Sequence, residues 1–112
     1  MTVKIQNRLV RDRIPELIAE SGGHAETRVL SHEEYVSALK AKLVEESEAA
    51  SHAVSPLELA LEIGDVLEVV DALIHAEGFL RSEIEAYRHE RAATRGTFKQ
   101  RLLLLRTRTP DI

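Results

Sequence analysis

Two helix-start signatures constrain this chain more than any other feature. Ser31-His32-Glu33-Glu34 and Ser55-Pro56-Leu57-Glu58 each place a serine three residues before a glutamate. In such a capping box the serine hydroxyl and the glutamate carboxylate each satisfy an orphan backbone N–H of the first helical turn. The second box also has proline at the first helical position, where its missing N–H costs nothing. Helices are therefore predicted over residues 31–50 and 56–77, the second stopped by Gly78. A shorter helix is expected over 11–20, with Pro15 near its start and Ser21-Gly22-Gly23 ending it. A fourth occupies 80–94, before Gly96.

Residues 25–30 read as an extended link. The four leucines at 102 to 105 suit either a short strand or a tail docked on another subunit, and periodicity does not decide between them.

Aromatic residues make up only 4% of the 112-residue chain, and Leu, Ala and Glu dominate, which favours packed helices over a sheet. The expected fold is all-α and four-helix-bundle-like, one domain over residues 1–112. Two long thin helices leave apolar surface uncovered, so a homodimer or homotetramer is expected to complete it. Cysteine is absent, which excludes disulfides, thiolate zinc sites and cysteine nucleophiles. No apolar run approaches the ~18 residues of a membrane span, and the charged N-terminus lacks a signal-peptide core. The expectation is a cytoplasmic protein with no membrane partner.

Charge is unevenly spread. Residues 31–90 carry four Lys/Arg against fourteen Asp/Glu, whereas residues 91–112 carry six against one. The acidic middle argues against a nucleic-acid face and suits a cation site. The basic end is available for phosphate or an acidic partner surface.

Sorting positions at about 100° per residue assigns the acids to faces. On the helix after Ser31, Tyr35, Leu39, Leu43 and Ala50 form the apolar stripe. Glu46 lies beside it, Glu45 further round, and Glu48 nearly opposite. On the next helix the expected stripe is Leu59, Ile63, Val66, Val70, Leu73 and Ile74. Glu62 and Asp65 border it, Glu58 extends their row, and Glu68 and Asp71 drift away. Crowded, semi-buried carboxylates repel each other and lose solvation, a cost that a bound divalent cation removes. Oxygen-only ligands suit Mg²⁺ or Mn²⁺ and not zinc. The same acids are also what the solvated edges of amphipathic helices look like. The five histidines show no ligand spacing, and Arg8, Arg11 and Arg13 suit either phosphate or the acidic helices.

The ordered set Asn7-Arg8-Leu9-Val10-Arg11-Asp12-Arg13-Ile14-Pro15, Thr27-Arg28-Val29-Leu30, Lys42-Leu43-Val44-Glu45-Glu46 and Glu62-Ile63-Gly64-Asp65-Val66-Leu67-Glu68-Val69 resembles the all-α nucleoside triphosphate pyrophosphohydrolases. Within that superfamily it is most similar to short MazG-like, phosphoribosyl-ATP pyrophosphohydrolase-like proteins. Arg91-Ala92-Ala93-Thr94-Arg95-Gly96-Thr97-Phe98 resembles their Lys-rich Arg-Gly-Gly-Phe ending.

The resemblance implies a MazG-type fold that cleaves a nucleoside triphosphate to the monophosphate and pyrophosphate. It implies Mg²⁺, with Mn²⁺ as a substitute, held by an E-E-x-x-E motif and an E-x-x-D motif. Glu45, Glu46, Glu62 and Asp65 match those motifs, but the last glutamate of the first is replaced by Ala49. The implied metal ligands are Glu46, Glu62 and Asp65, and the implied general base is Glu45 or Glu46. Arg11, Arg91 and Arg95 are the substrate-binding candidates. The alternatives are a degenerate relative that binds nucleotide or a partner without turnover, and a plain helical oligomerisation module.

Overall fold

A computed structural model of the chain describes residues 2–111. Four helices, α1 (Ile14–Glu20), α2 (His32–Ser51), α3 (Pro56–Ala76) and α4 (Arg81–Arg95), make up the regular structure, with no strand among the described residues. The fold is all-α. Among the described residues, no helix is long and apolar enough to cross a membrane. The chain divides into two compact units, Met1–Phe79 and Leu80–Ile112.

Local chemistry explains where the helices start. At α2 the box is complete. Glu34 N–H donates to Ser31 Oγ at 3.2 Å, and Ser31 N–H donates to the Glu34 carboxylate at 3.0 Å. Arg28 adds a two-pronged contact to that carboxylate at 2.7 and 3.1 Å. The Arg28 hydrogen bonds, with those from Ser31, hold the Glu34 carboxyl down at about 2.

At α3 only half of the expected box forms. Glu58 N–H donates to Ser55 Oγ at 3.1 Å, but the Glu58 carboxylate accepts from Val54 N–H instead of that of Ser55. The reciprocal arm is displaced by one residue. The first helix also starts later than expected, at Ile14 and not Arg11. Proline is tolerated only where the helix asks nothing of its N–H; a start at Arg11 would put Pro15 beyond that first turn.

Two helices end in the same way. Gly22 and Gly78 adopt φ values of 89° and 71°, the left-handed region that favours glycine. Gly22 N–H then reaches Ala19 O and Gly23 N–H reaches Ile18 O; likewise Gly78 reaches His75 O and Phe79 reaches Ile74 O. These paired contacts form Schellman motifs, which satisfy carbonyls left over at a helix end.

In the first unit α2 and α3 pack against each other across a four-residue connection. Leu39 and Val69 are its buried apolar side chains, at 3% and 7% exposure. Of the α3 stripe expected from the sequence, Val66, Val70, Leu73 and Ile74 are half-buried, whereas Leu59 and Ile63 are exposed and Glu62, Asp65 and Val69 turn inward. Apolar residues lie nearly all round α3, so a wheel alone does not select which side faces α2.

The second unit holds α4, whose first turn is closed by Leu80 N–H donating to Glu83 at 2.9 Å. The residues after Gly96 carry no helix, and the leucines at 102 to 105 are 78–83% exposed in irregular backbone. The strand option for that run is thereby removed.

Candidate metal centre

The inward faces of α2 and α3 bring three carboxylates together. One oxygen each from Glu46, Glu62 and Asp65 lies within 4.8 Å of the others, and all three residues are half-buried. Helix spacing explains the set: Glu62 and Asp65 are three residues apart on α3, and Glu46 faces them from α2.

Three cations surround these acids. Lys42 Nζ lies 3.3 Å from Glu45 and 3.6 Å from Glu46, with its side chain only 13% exposed. Arg11 donates from Nη2 to Asp65 Oδ1 at 2.8 Å. Arg8 approaches Glu45 at 3.3 Å.

A cavity of about 450 Å³ opens beside the cluster, with Tyr35, Leu39 and Val69 as apolar wall and Glu46, Asp65 and Glu68 as acidic wall. A second cavity, of about 330 Å³, lies against Arg8, Ile14 and Ile18. Val10, Arg11, Lys42, Glu46 and Asp65 line both. The Arg11–Asp65 pair therefore stands in the wall that the two cavities share.

The other candidates fall as follows. Glu45 stands outside the three-carboxylate group, exposed and ion-paired. Ala49 is half-buried, three residues after Glu46, while Glu48 is exposed. Glu68, expected to drift away, is exposed yet borders the larger cavity. Arg13, the residue that caps the start of α1, pairs with Glu16 in that helix at 3.1 Å. Arg91 and Arg95 are exposed on α4, in the second unit. Lys42 had no role assigned from the sequence, although its spacing of three and four residues to Glu45 and Glu46 is the signal for such a pairing.

The donor set fits a hard divalent cation. Mg²⁺ holds its oxygens at about 2.1 Å in an octahedron, so adjacent ligands stand ~3.0 Å apart and at most one pair of three is opposite, at ~4.2 Å. From within 4.8 Å of one another, the three oxygens would have to close by up to ~1.8 Å, through side-chain rotation. Ala49 offers no fourth carboxylate, which leaves water or a ligand oxygen for the remaining positions.

Comparison with known proteins is sparse. A protein of Mycolicibacterium smegmatis, described only as uncharacterized, is 54% identical over 56 residues. Those residues are 50% of this chain and 56% of the relative, so the match covers little more than half the relative's length. No family model matches, and no solved structure matches.

Proposed function

We propose that this chain is a Mg²⁺-dependent nucleoside triphosphate pyrophosphohydrolase, working in the cytosol as a homodimer or homotetramer. The observation that carries this is the convergence of Glu46, Glu62 and Asp65, of which Glu46 and Asp65 line a cavity also lined by Arg11 and Lys42. Carboxylates that could hold a divalent cation, beside cations that could exchange their carboxylate partners for phosphate, are what a polyphosphate site needs. Glu46, Glu62 and Asp65 would hold the ion, with Mn²⁺ able to replace Mg²⁺. Bound there, it would supply positive charge against the triphosphate oxygens and the departing pyrophosphate.

The protein's own groups do the rest. Arg11 exchanges Asp65 for a phosphate oxygen, a natural move for a half-exposed guanidinium. Glu45 or Glu46 accepts the proton of a water that attacks phosphorus in line, while the bond between the α- and β-phosphates breaks. Arg91 and Arg95, one turn apart on α4, have the guanidinium chemistry for further phosphate contact.

A second reading is favoured by Ala49 and by the cations already seated on Glu46 and Asp65: a relative that binds nucleotide or a partner without hydrolysis. Pyrophosphate release across the common nucleoside triphosphates, with Mg²⁺ or Mn²⁺, separates the two. Release by the wild type and its loss in Asp65→Asn support the enzyme. A metal-dependent rise in melting temperature without release leaves the non-catalytic binder. No metal effect of either kind removes both.

A further inference from the structure

Outside the acidic site, two groups of exposed apolar residues each come from one short segment. One is the chain end: Phe98 is 97% exposed and the leucines at 102 to 105 are 78–83% exposed. The other is the outer side of α3, where Leu57, Leu61, Ile63 and Leu67 are 71, 63, 47 and 52% exposed. Between Leu61 and Leu67, Gly64 leaves a notch with open space above it. Each set stays exposed in the single chain, and exposed apolar residues gathered on one segment are what a docking surface uses.

Charge says what fits. α3 carries Glu58, Glu62, Asp65, Glu68 and Asp71 and no Lys or Arg. The chain end carries Lys99, Arg101, Arg106 and Arg108 against Asp111 alone.

We propose that residues 98–106 of one copy lie in the leucine-lined notch of α3 in a second copy, with the flanking arginines against that helix's exposed acids. Leucines enter beside Gly64, with the flanking arginines toward exposed Glu68 on that side of the helix. The exchange is reciprocal, so two copies close into a symmetric dimer with no contact left to propagate.

The cysteine-free chain makes the test clean. Leu103→Cys and Leu61→Cys copies are mixed in equal amounts and mildly oxidised, without nucleotide or metal. Both positions are exposed, and circular dichroism checks that each variant folds as the wild type does. The expected product is a covalent dimer joining residue 103 of one copy to residue 61 of the other, identified by mass spectrometry. In light scattering the wild type is a dimer, and Leu103→Asp with Leu104→Asp weakens dimerisation by roughly tenfold or more. A dominant 103–103 or 61–61 product overturns the proposal. So does a double-cysteine variant that closes within one chain, or a wild type that is monomeric at tens of micromolar. Binding of the wild type to phosphatidylserine vesicles without the 103–61 product assigns the leucines to a membrane instead and also overturns it. None of these readouts involves hydrolysis, so the pyrophosphohydrolase assay stands or falls separately.

Discussion

Arg11 and Asp65, 54 residues apart in the chain, are joined by a 2.8 Å hydrogen-bonded ion pair that ties the segment before α1 to the inner face of α3. Both side chains are about half exposed, so the pair contributes less than about 1 kcal/mol to stability. Its larger effect is competition: the guanidinium occupies an oxygen that a divalent cation would use. Arg11→Ala should therefore leave the melting temperature nearly unchanged without metal. Calorimetry should show Mg²⁺ bound severalfold more tightly, while nucleotide turnover falls because a phosphate partner is gone.

Lys42 is the more buried cation. Its side chain is 13% exposed and that of Glu46 is 17% exposed. Lys42→Met keeps the aliphatic stem and removes the charge, leaving Glu46 beside Glu62 and Asp65 without its helix partner. Melts in chelator should show a loss of about 1–2 kcal/mol, less than a fully buried pair because water still reaches the site. Saturating Mg²⁺ should restore most of it.

Ala49 sits half-buried three residues after Glu46. Ala49→Glu keeps high helix propensity and adds a fourth carboxylate to the crowded face. In chelator the variant should melt below the wild type, and in Mg²⁺ above it, with any pyrophosphate release increased. Asp65→Asn in the same background should abolish the reversal. Identical melts with and without divalent metal would remove the site from α2 and α3.

Glu34 gives a pH signature away from the site. Arg28 and the Ser31 groups depress its carboxyl from the ordinary 4.5 to about 2 in the folded chain. A depressed folded value means that the stabilisation is complete above the unfolded value and is lost as pH falls through the folded one. The stability gap between the wild type and Glu34→Gln should stay constant from neutral pH to about 5. It should close between about 4.5 and 2. Urea titrations across that range check it.

How much of this was legible in the sequence follows the range of each interaction. The Ser31 box and the glycine stops at Gly22 and Gly78 depend on residues within a few positions, and their positions could be read directly. The trio Glu46, Glu62 and Asp65 was legible because helix spacing and the motif resemblance selected the same residues. The inner face of α3 was legible in part: Val66, Val70, Leu73 and Ile74 are half-buried as expected, but Leu59 and Ile63 are as apolar as Val69, and only the partner helix decides between them. Arg11 offered two roles, phosphate or acid, and its pairing with Asp65 needed the fold. The Glu58 arm failed by one residue because the Val54 and Ser55 amides are neighbours and equally able to donate.

The short connection between α2 and α3 has a kinetic consequence. A helical hairpin closed over four residues is a local, low-entropy step, whereas bringing Arg11 to Asp65 closes a much longer loop. The three carboxylates therefore meet when the hairpin zips, with Lys42 already on the same helix and Arg11 still to arrive. For that interval the nascent hairpin carries more uncompensated negative charge than the finished fold. Refolding should accordingly quicken with ionic strength, and Arg11→Ala should chiefly alter the unfolding rate.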